Sequence, residues 1–515
     1  MKITIDKCGK KVPTNFSWQF GIGSDHAFQL HRTDMCEHLK LIHDELGIKY
    51  VRFHGIFDDD MLCVQRLSDY KPFRAVPHSK GIEEVNFLQA GKVYDNVLAC
   101  GMKPFVELSF MPSALARGKK TGIRYLNNIT QPKSLQKWAE FIKKFIEFLL
   151  DRYGKDEVES WYFEVWNEPD LPIFFKGSQK DYFRLYEVTA RAVKSVDEKL
   201  RVGGPSSSAC KWLKEFVGFC KESGAPCDFV STHHYPGDAF GNAFGAKEAF
   251  EMMATASKAA KEKIGLSRAM EKLFFRPRVY QTWEKGVLER LDEGARRQAG
   301  ELPLFVTEWN SMAVFASPVH DEKYSAAFVV KTCLDGAHLT DGYMFWCCSD
   351  IYEEQFMLGT PFHGGFGLVN NCGIPKPNFW AFKMLSRLYP ERLVLPKTDG
   401  DVEYAAFTDG NNIQVLVYAQ DPDPEKREKH SVELSVNISV KNVKMSRIDD
   451  THCNPKGEWE EMGSPDVLTP KQCDVIRKST RLEEEQSEYK CDGKTTVVRL
   501  DVCTNDVVLI TMEAL

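Results

Sequence analysis

Over its first 350 residues the chain alternates short, wholly apolar runs with longer stretches whose apolar residues recur every three or four positions. Runs that are apolar throughout suit parallel strands buried on both faces, and amphipathic helices between them supply the covering layer. The strand-like runs are Phe16–Gly23, Tyr50–His54, Pro104–Phe110, Trp161–Trp166, Arg201–Gly204, Phe229–His233, Leu304–Glu308 and Gly342–Cys347. Helical patterns cover Thr33–Leu46, Val85–Cys100, Ser134–Tyr153, Tyr182–Leu200 and Trp212–Ser223. The third is the clearest, with Leu135, Trp138, Phe141, Ile142, Phe145, Ile146, Leu149 and Leu150 in one stripe that stops near Gly154. Eight such units over roughly 330 residues predict an α/β fold, a (β/α)8 TIM barrel. A doubly wound open sheet is the alternative, but no GxGxxG or GxxxxGK[ST] follows any strand to favour a nucleotide-binding version.

The regularity breaks twice. Residues 237–301 form an unusually long connection carrying Met252, Met253 and the charge-rich stretch Glu284–Glu301, and connections of that length carry helices or function. After a further helix at Asn378–Tyr389, short β-rich runs take over: Glu403–Thr408, Ile413–Ala419, Ser431–Ile438, Thr496–Val502 and Val507–Met512. The polar stretches Asp421–Lys429 and Lys478–Lys490 read as loops. The expected organisation is a barrel over 14–350, a helical connector over 351–392 and a C-terminal β-sandwich over 393–515, to which residues 1–13 offer a strand.

Composition excludes several classes. With 67 basic against 73 acidic residues the net charge is −6, which leaves no basic footprint for nucleic acid. No apolar stretch approaches a membrane span, and the N-terminal alternation lacks the apolar core of a secretory signal. Fifteen cysteines without a CxxC spacing read as free, reduced thiols, so a cytoplasmic protein without metal or other cofactor is expected. The sequence leaves room for a homo-oligomer.

In a (β/α)8 barrel the reactive groups stand at the carboxyl ends of the strands. Those ends carry His54, then Asn167-Glu168-Pro169, then His233-His234-Tyr235, then Glu308-Trp309, then Trp346 with Ser349-Asp350 and Glu353-Glu354. Each feature has an ordinary reading: Asn-Glu-Pro a turn, a lone glutamate an ion-pair partner, His54 a hydrogen-bonded barrel histidine, Trp346 a packing residue. What separates the readings is that Glu168 and Glu308 both emerge from buried apolar runs of one inferred barrel. Glycoside hydrolysis needs such a pair, one carboxyl protonated to release the leaving oxygen and one ionised to attack the anomeric carbon. Adjacent histidines also bind metals, but no carboxylate or thiol stands beside His233-His234 at ligand spacing, and His234 should face away from His233.

The chain resembles the retaining glycosidases with glutamates on strands four and seven, and among them glycoside hydrolase family 39, the β-xylosidase and α-L-iduronidase family. The resemblance spans nearly the whole chain. It rests on Tyr50-Val51-Arg52-Phe53-His54-Gly55, on Pro104 to Pro112, on Phe163-Glu164-Val165-Trp166-Asn167-Glu168-Pro169-Asp170, on Val306-Thr307-Glu308-Trp309 and on Trp346 to Glu354. It implies that Glu168 is the acid and then base, Glu308 the nucleophile and Asn167 the partner of the sugar 2-hydroxyl. His54, His233 and Tyr235 would complete the glycone site, Trp346 would be its platform, and Glu353 and Glu354 would accept from sugar hydroxyls.

Between the branches, iduronate carries a carboxylate that a site must offset with cations. The residues after His233 read His234-Tyr235-Pro236, without Lys or Arg, and Glu353-Glu354 would repel an acid. An exo-acting β-D-xylosidase cutting xylo-oligosaccharides is therefore expected. The alternatives are a family-39-type enzyme for an α-L-arabinopyranoside, β-galactoside or α-L-iduronide, and a non-catalytic carbohydrate-binding protein.

Overall fold

The computed structural model describes residues 1–236, 246–274, 283–398 and 400–515. Eight parallel strands close into a barrel: Gly21–His26, Tyr50–His54, Lys103–Glu107, Tyr162–Glu164, Arg201–Ser208, Phe229–His234, Leu304–Trp309 and Gly342–Phe345. Each pairs with its successor and the eighth pairs with the first. The first strand begins at Gly21 rather than Phe16, because Asn15 Oδ1 accepts from Ser17 N and Ser17–Gln19 coil into a 3-10 turn. That turn delivers Phe20 to the barrel floor, where it stacks on Tyr50 and Phe305 with centroids 4.7 Å from each. Phe105, Tyr162, Phe229 and Met344 complete this buried plug. One end of the barrel is thus sealed by aromatic packing, and the strands' carboxyl ends carry whatever opens to substrate. At Gly23 a Cβ would stand 2.3 Å from Trp346 Cε3, so only glycine lets the first strand pass that ring.

The long helix runs over Leu135–Tyr153, with Ser134 Oγ accepting from Lys137 N at 3.3 Å and Gly154 ending it at φ 81°. Trp138, Phe141, Ile142, Phe145, Ile146 and Leu149 are buried on one face, each contributing about 1.5–3 kcal/mol of transfer free energy. The helix expected at Val85–Cys100 is Leu88–Ala99; Glu83–Val85 instead pairs with Val64–Arg66 as a small antiparallel ribbon. In the long connection, helices Ala246–Glu262 and Leu266–Phe274 precede Val287–Ala299, while 237–245 and 275–282 lie outside the described residues. Val287–Ala299 packs between Leu213–Ser223 and Lys323–Gly336 as the sixth barrel helix. Pro377–Ser386 packs between Lys323–Gly336 and the first barrel helix, Thr33–Leu46, so it completes the helical ring.

Two further sheets form the sandwich. One is ordered Lys2–Ile5, Lys429–Val436, Thr496–Cys503, Tyr489–Cys491; the other runs from Glu485–Gln486 through Val507–Ala514 to Glu391–Leu393 and Lys11–Pro13. Lys2–Ile5 lies parallel to Lys429–Val436 and buries Ile3 and Ile5 in the core that holds Val417, Leu434 and Ile510. Two helices that no apolar period announced, Pro455–Glu461 and Pro470–Ser479, start on proline behind a capping side chain, Asn454 and Thr469 respectively. Lys331 ties barrel to sandwich, its Nζ 2.7 Å from Glu403. Among the described residues no helix is long and apolar enough to cross a membrane.

Candidate active site

A cation sits where the barrel interior would ordinarily be apolar. Alternation along the second strand points Tyr50, Arg52 and His54 inward, which raises Arg52 one layer above the aromatic floor. Its guanidinium is fully buried. Nε donates to Glu164 Oε2 at 2.6 Å and Nη1 to Glu308 Oε1 at 2.7 Å. Nη2 donates to Asn167 Oδ1 at 2.9 Å and Ser206 Oγ at 3.0 Å, and stands 2.7 Å from Glu107 Oε2. Burial opposes the charge, but the surrounding glutamates outweigh it and raise the arginine above its ordinary pKa.

Glu308 reaches this cation through a bulge. Thr307 already points inward, its hydroxyl donating to Glu164 Oε1 at 3.0 Å, so simple alternation would turn Glu308 outward. The ladder slips between Val306 and Trp309 on one side and between Thr232 and His233 on the other, and the next side chain also faces in. Tyr235 O–H donates to Glu308 Oε2 at 3.0 Å, and burial pushes that hydroxyl far above its usual pKa, so it stays a donor. His54 Nε2 lies 3.6 Å from Glu308 Oε1 while Nδ1 bonds Glu107 at 2.7 Å. Burial works against a charged His54, but Glu107, helped by Glu308, raises it to about 9.

Glu168 stands on a twisted strand end. Trp166 and Glu168 adopt φ of 75° and 39°, left-handed values costing of order 1–3 kcal/mol each in residues other than glycine. The twist is held by Glu168 N donating to Ser206 O at 2.9 Å and Trp166 Nε1 to Phe174 O at 3.0 Å. His233 Nδ1 lies 3.0 Å from Glu168 Oε1, and its Nε2 3.0 Å from Ser206 Oγ. Nδ1 also lies 3.5 Å from Glu308 Oε2, so it faces oxygens of both carboxyls and carries the ring proton, which leaves Nε2 to accept from the Ser206 hydroxyl. Burial holds His233 down to about 4, which keeps it neutral. A Glu168 oxygen, a Glu308 oxygen and a His233 nitrogen all fall within 4.8 Å of one another. Such a triplet could ligate a cation, but the guanidinium bonded to Glu308 already supplies one there.

The match to the Glycosyl hydrolases family 39 model covers residues 1–291 and 287–496. The chain belongs to glycosyl hydrolase family 39. It is 37% identical over its whole length to a β-xylosidase of Caldicellulosiruptor saccharolyticus, covering 98% of that protein. It is 32% identical over 96% of its length to one of Geobacillus stearothermophilus, covering 92% of it. A monomeric β-xylosidase from Caulobacter crescentus, 31% identical, superposes over the full chain and 99% of the relative with a TM-score of 0.80. As a family 39 member the protein is an O-glycosyl hydrolase.

Within this family 39 site, His54, Glu168, Tyr235, Glu308, Trp346 and Glu354 line a cavity of about 490 Å³. Asn167 and His233 are buried beside it, bonded to the same network. Glu353 is not among the lining residues; its backbone N–H donates to Asp25 Oδ2 at 2.6 Å. Glu354 accepts from Tyr352 O–H at 2.6 Å, and burial raises its carboxyl to about 8, so at neutral pH it is an acid with a proton to donate. His234 points away: Nδ1 lies 2.7 Å from Asp292 and Nε2 3.0 Å from Cys210 Sγ. Asp350 is buried against Lys376, which also holds Asp321.

Arg52, Glu107, Glu164 and Ser206 carry this network, yet none of them closes one of the strand-like runs read from the sequence, although Glu107 and Glu164 end their strands in the structure. Their signal is a single charged side chain inside each of three apolar runs, Arg52 in Tyr50–His54, Glu107 in Pro104–Phe110 and Glu164 in Trp161–Trp166. Isolated charges in strands buried on both faces require partners, and three such strands side by side can supply them.

Proposed function

We propose that the protein is a β-D-xylosidase that removes a terminal xylose with retention of configuration, by double displacement through a glycosyl-enzyme. The observation that carries this reading is the carboxyl pair, with oxygens of Glu168 and Glu308 inside 4.8 Å. Retaining glycosidases hold their carboxyl groups about 5–5.5 Å apart and inverting ones about 6.5–9.5 Å, to leave room for water.

Glu308 attacks the anomeric carbon as Glu168 transfers a proton to the departing oxygen. Arg52 and Tyr235 anchor the two Glu308 oxygens and aim the attack. Water then displaces Glu308 while Glu168 takes the water's proton, and His233 Nδ1–H orients that carboxyl in both steps. Asn167 Oδ1 is taken by Arg52, and its Nδ2 is buried without a protein partner, which suits an acceptor on the sugar's 2-hydroxyl. Trp346, packed 4.7 Å from His54, offers a ring face to the glycone.

Two things support xylose over a uronate. The two relatives named above, matched over nearly the whole chain, are β-xylosidases. No lysine or arginine is among the described residues lining the cavity, and the imidazolium of His54 there is already held between Glu107 and Glu308, so a buried sugar carboxylate would lack a free counter-charge. The repulsion expected from Glu353-Glu354 does not carry this preference, since Glu354 is neutral at pH 7. Terminal cleavage is favoured by a cavity sized for one glycone and its leaving group. Proton NMR across aryl β-D-xyloside, α-L-arabinopyranoside, β-D-galactoside and α-L-iduronide tests the reading. β-Xylose as the first-formed anomer is expected; α-xylose would overturn the double displacement, and preference for another member would overturn the sugar.

A further inference from the structure

The acid of a glycosidase stands where the leaving group departs, so the residues that follow Glu168 on the same strand end flank that group. Here they are Leu171 and Ile173, both lining the cavity. Ile123, Val314 and Phe315 line it as well, and Met252 reaches it from helix Ala246–Glu262 of the long connection. Beyond the residues that hold the carboxyl pair and the glycone, Gln355 is the one hydrogen-bonding side chain of the described lining whose polar group is not already engaged; the Tyr352 hydroxyl is spent on Glu354.

The apolar character continues onto the rim. Arg124 N donates to Glu354 O at 3.1 Å and Lys176 N to Ile129 O at 2.7 Å, so the segments after strands three, four and eight form one continuous edge. Along it Leu126, Ile173, Phe356 and Met357 are 69%, 39%, 36% and 43% exposed, and the side chains of Arg124 and Lys176 on the same edge are exposed as well. Exposed apolar side chains beside a catalytic cavity suit contact with an apolar group. A second pyranose placed against the described lining inside the cavity would find Gln355 as its one unengaged side-chain partner, and each buried hydroxyl left unmet costs about 1–3 kcal/mol.

We propose that the leaving-group side of this site is built for an apolar aglycone, so that the preferred substrate is the xyloside of a hydrophobic alcohol or phenol rather than an unbranched xylo-oligosaccharide. The proposal rests on Glu168 being the acid. It gives the helix carrying Met252 a role, as one wall of the aglycone site.

Hexyl and methyl β-D-xylosides separate binding from leaving-group chemistry, because their alcohols are of nearly equal acidity. The expected kcat/KM for the hexyl compound is at least tenfold above the methyl compound and above xylobiose. Ile173→Asn and Met252→Asn should each pull the hexyl-to-methyl ratio toward one. A ratio near one in the unaltered protein, or xylobiose ahead of the hexyl xyloside, overturns the proposal. If the NMR panel selects another glycone, the xylosidase reading falls and the hexyl-to-methyl ratio is measured on that sugar, where the same two outcomes decide. Absence of turnover on every glycone overturns both readings.

Discussion

Ser206 Oγ lies 3.0 Å from His233 Nε2 and also 3.0 Å from Arg52 Nη2. His233 Nδ1 faces oxygens of both carboxyls and so carries the imidazole proton, and Nε2 is left to accept from the serine hydroxyl, whose oxygen accepts from the guanidinium. One buried arginine therefore touches Glu308 directly and reaches Glu168 through two side chains. The two carboxyls receive different surroundings from the same cation, which is the condition for one to act as nucleophile and the other as acid.

Ser206→Ala tests that relay. Without the hydroxyl, His233 is free to present either nitrogen, and proton delivery by Glu168 suffers. For methyl β-D-xyloside kcat/KM should fall about 3–10-fold, the worth of one neutral hydrogen bond. For 2,4-dinitrophenyl β-D-xyloside, whose leaving group departs without a proton, the fall should stay within about twofold. Equal losses on both substrates would reduce Ser206 to a packing role.

The two glutamates should separate chemically. Glu168→Ala should lower kcat on methyl β-D-xyloside by about 10²–10⁴, while the dinitrophenyl substrate still forms the glycosyl-enzyme. Azide should then intercept that intermediate and give β-xylosyl azide. Glu308→Ala should lose turnover of both substrates, and azide should give the α-anomer. Exchange of the two products between the variants would reverse the assigned roles.

Strand order, barrel closure and the strand ends bearing Glu168 and Glu308 follow from apolar periodicity, because a parallel sheet covered on both faces writes itself into sequence as uninterrupted apolar runs. What holds those glutamates was not legible in the same way. Glu308 faces inward only because the ladder slips beside Thr307, and a bulge leaves no mark in the pattern of residue types. Glu168 depends on left-handed backbone at Trp166, a conformation no propensity predicts for tryptophan. The wall supplied by Met252 arises from tertiary placement of a helix inside a stretch that read only as long and helical.

Lys376 is fully buried, with Nζ 2.8 Å from Asp321 and 3.1 Å from Asp350, at the crossing of the segments that follow strands seven and eight. Lys376→Met would leave two buried carboxylates facing each other. Removing one partner of a buried ion pair costs about 3–5 kcal/mol, so the barrel's urea midpoint should fall well below that of the unaltered protein. An unchanged midpoint would mean that the carboxyls take up protons without loss. Raising the pH would then expose the cost, since both must ionise as they leave the acid range.

The last test concerns Glu354, whose carboxyl burial raises to about 8. Below that value the folded protein holds it neutral, with a proton to give a sugar hydroxyl. As pH rises through about 8 the donor is lost and a second negative charge appears on the wall shared with Glu308, so glycone binding weakens. On the dinitrophenyl xyloside, which does not need the proton of Glu168, kcat/KM should therefore bend downward near pH 8. Glu354→Gln keeps an N–H donor at every pH and should remove that bend while preserving activity on its acid side. The linkage sign for stability is the same. A raised carboxyl favours folding fully below its unfolded value, near 4.5, and loses that contribution as pH climbs through about 8. The gap in Tm between Glu354→Gln and the unaltered protein should accordingly shift in favour of the glutamine variant between pH 5 and 8. A bend that persists in that variant would assign the titration to another group, His54 at about 9 being the nearest.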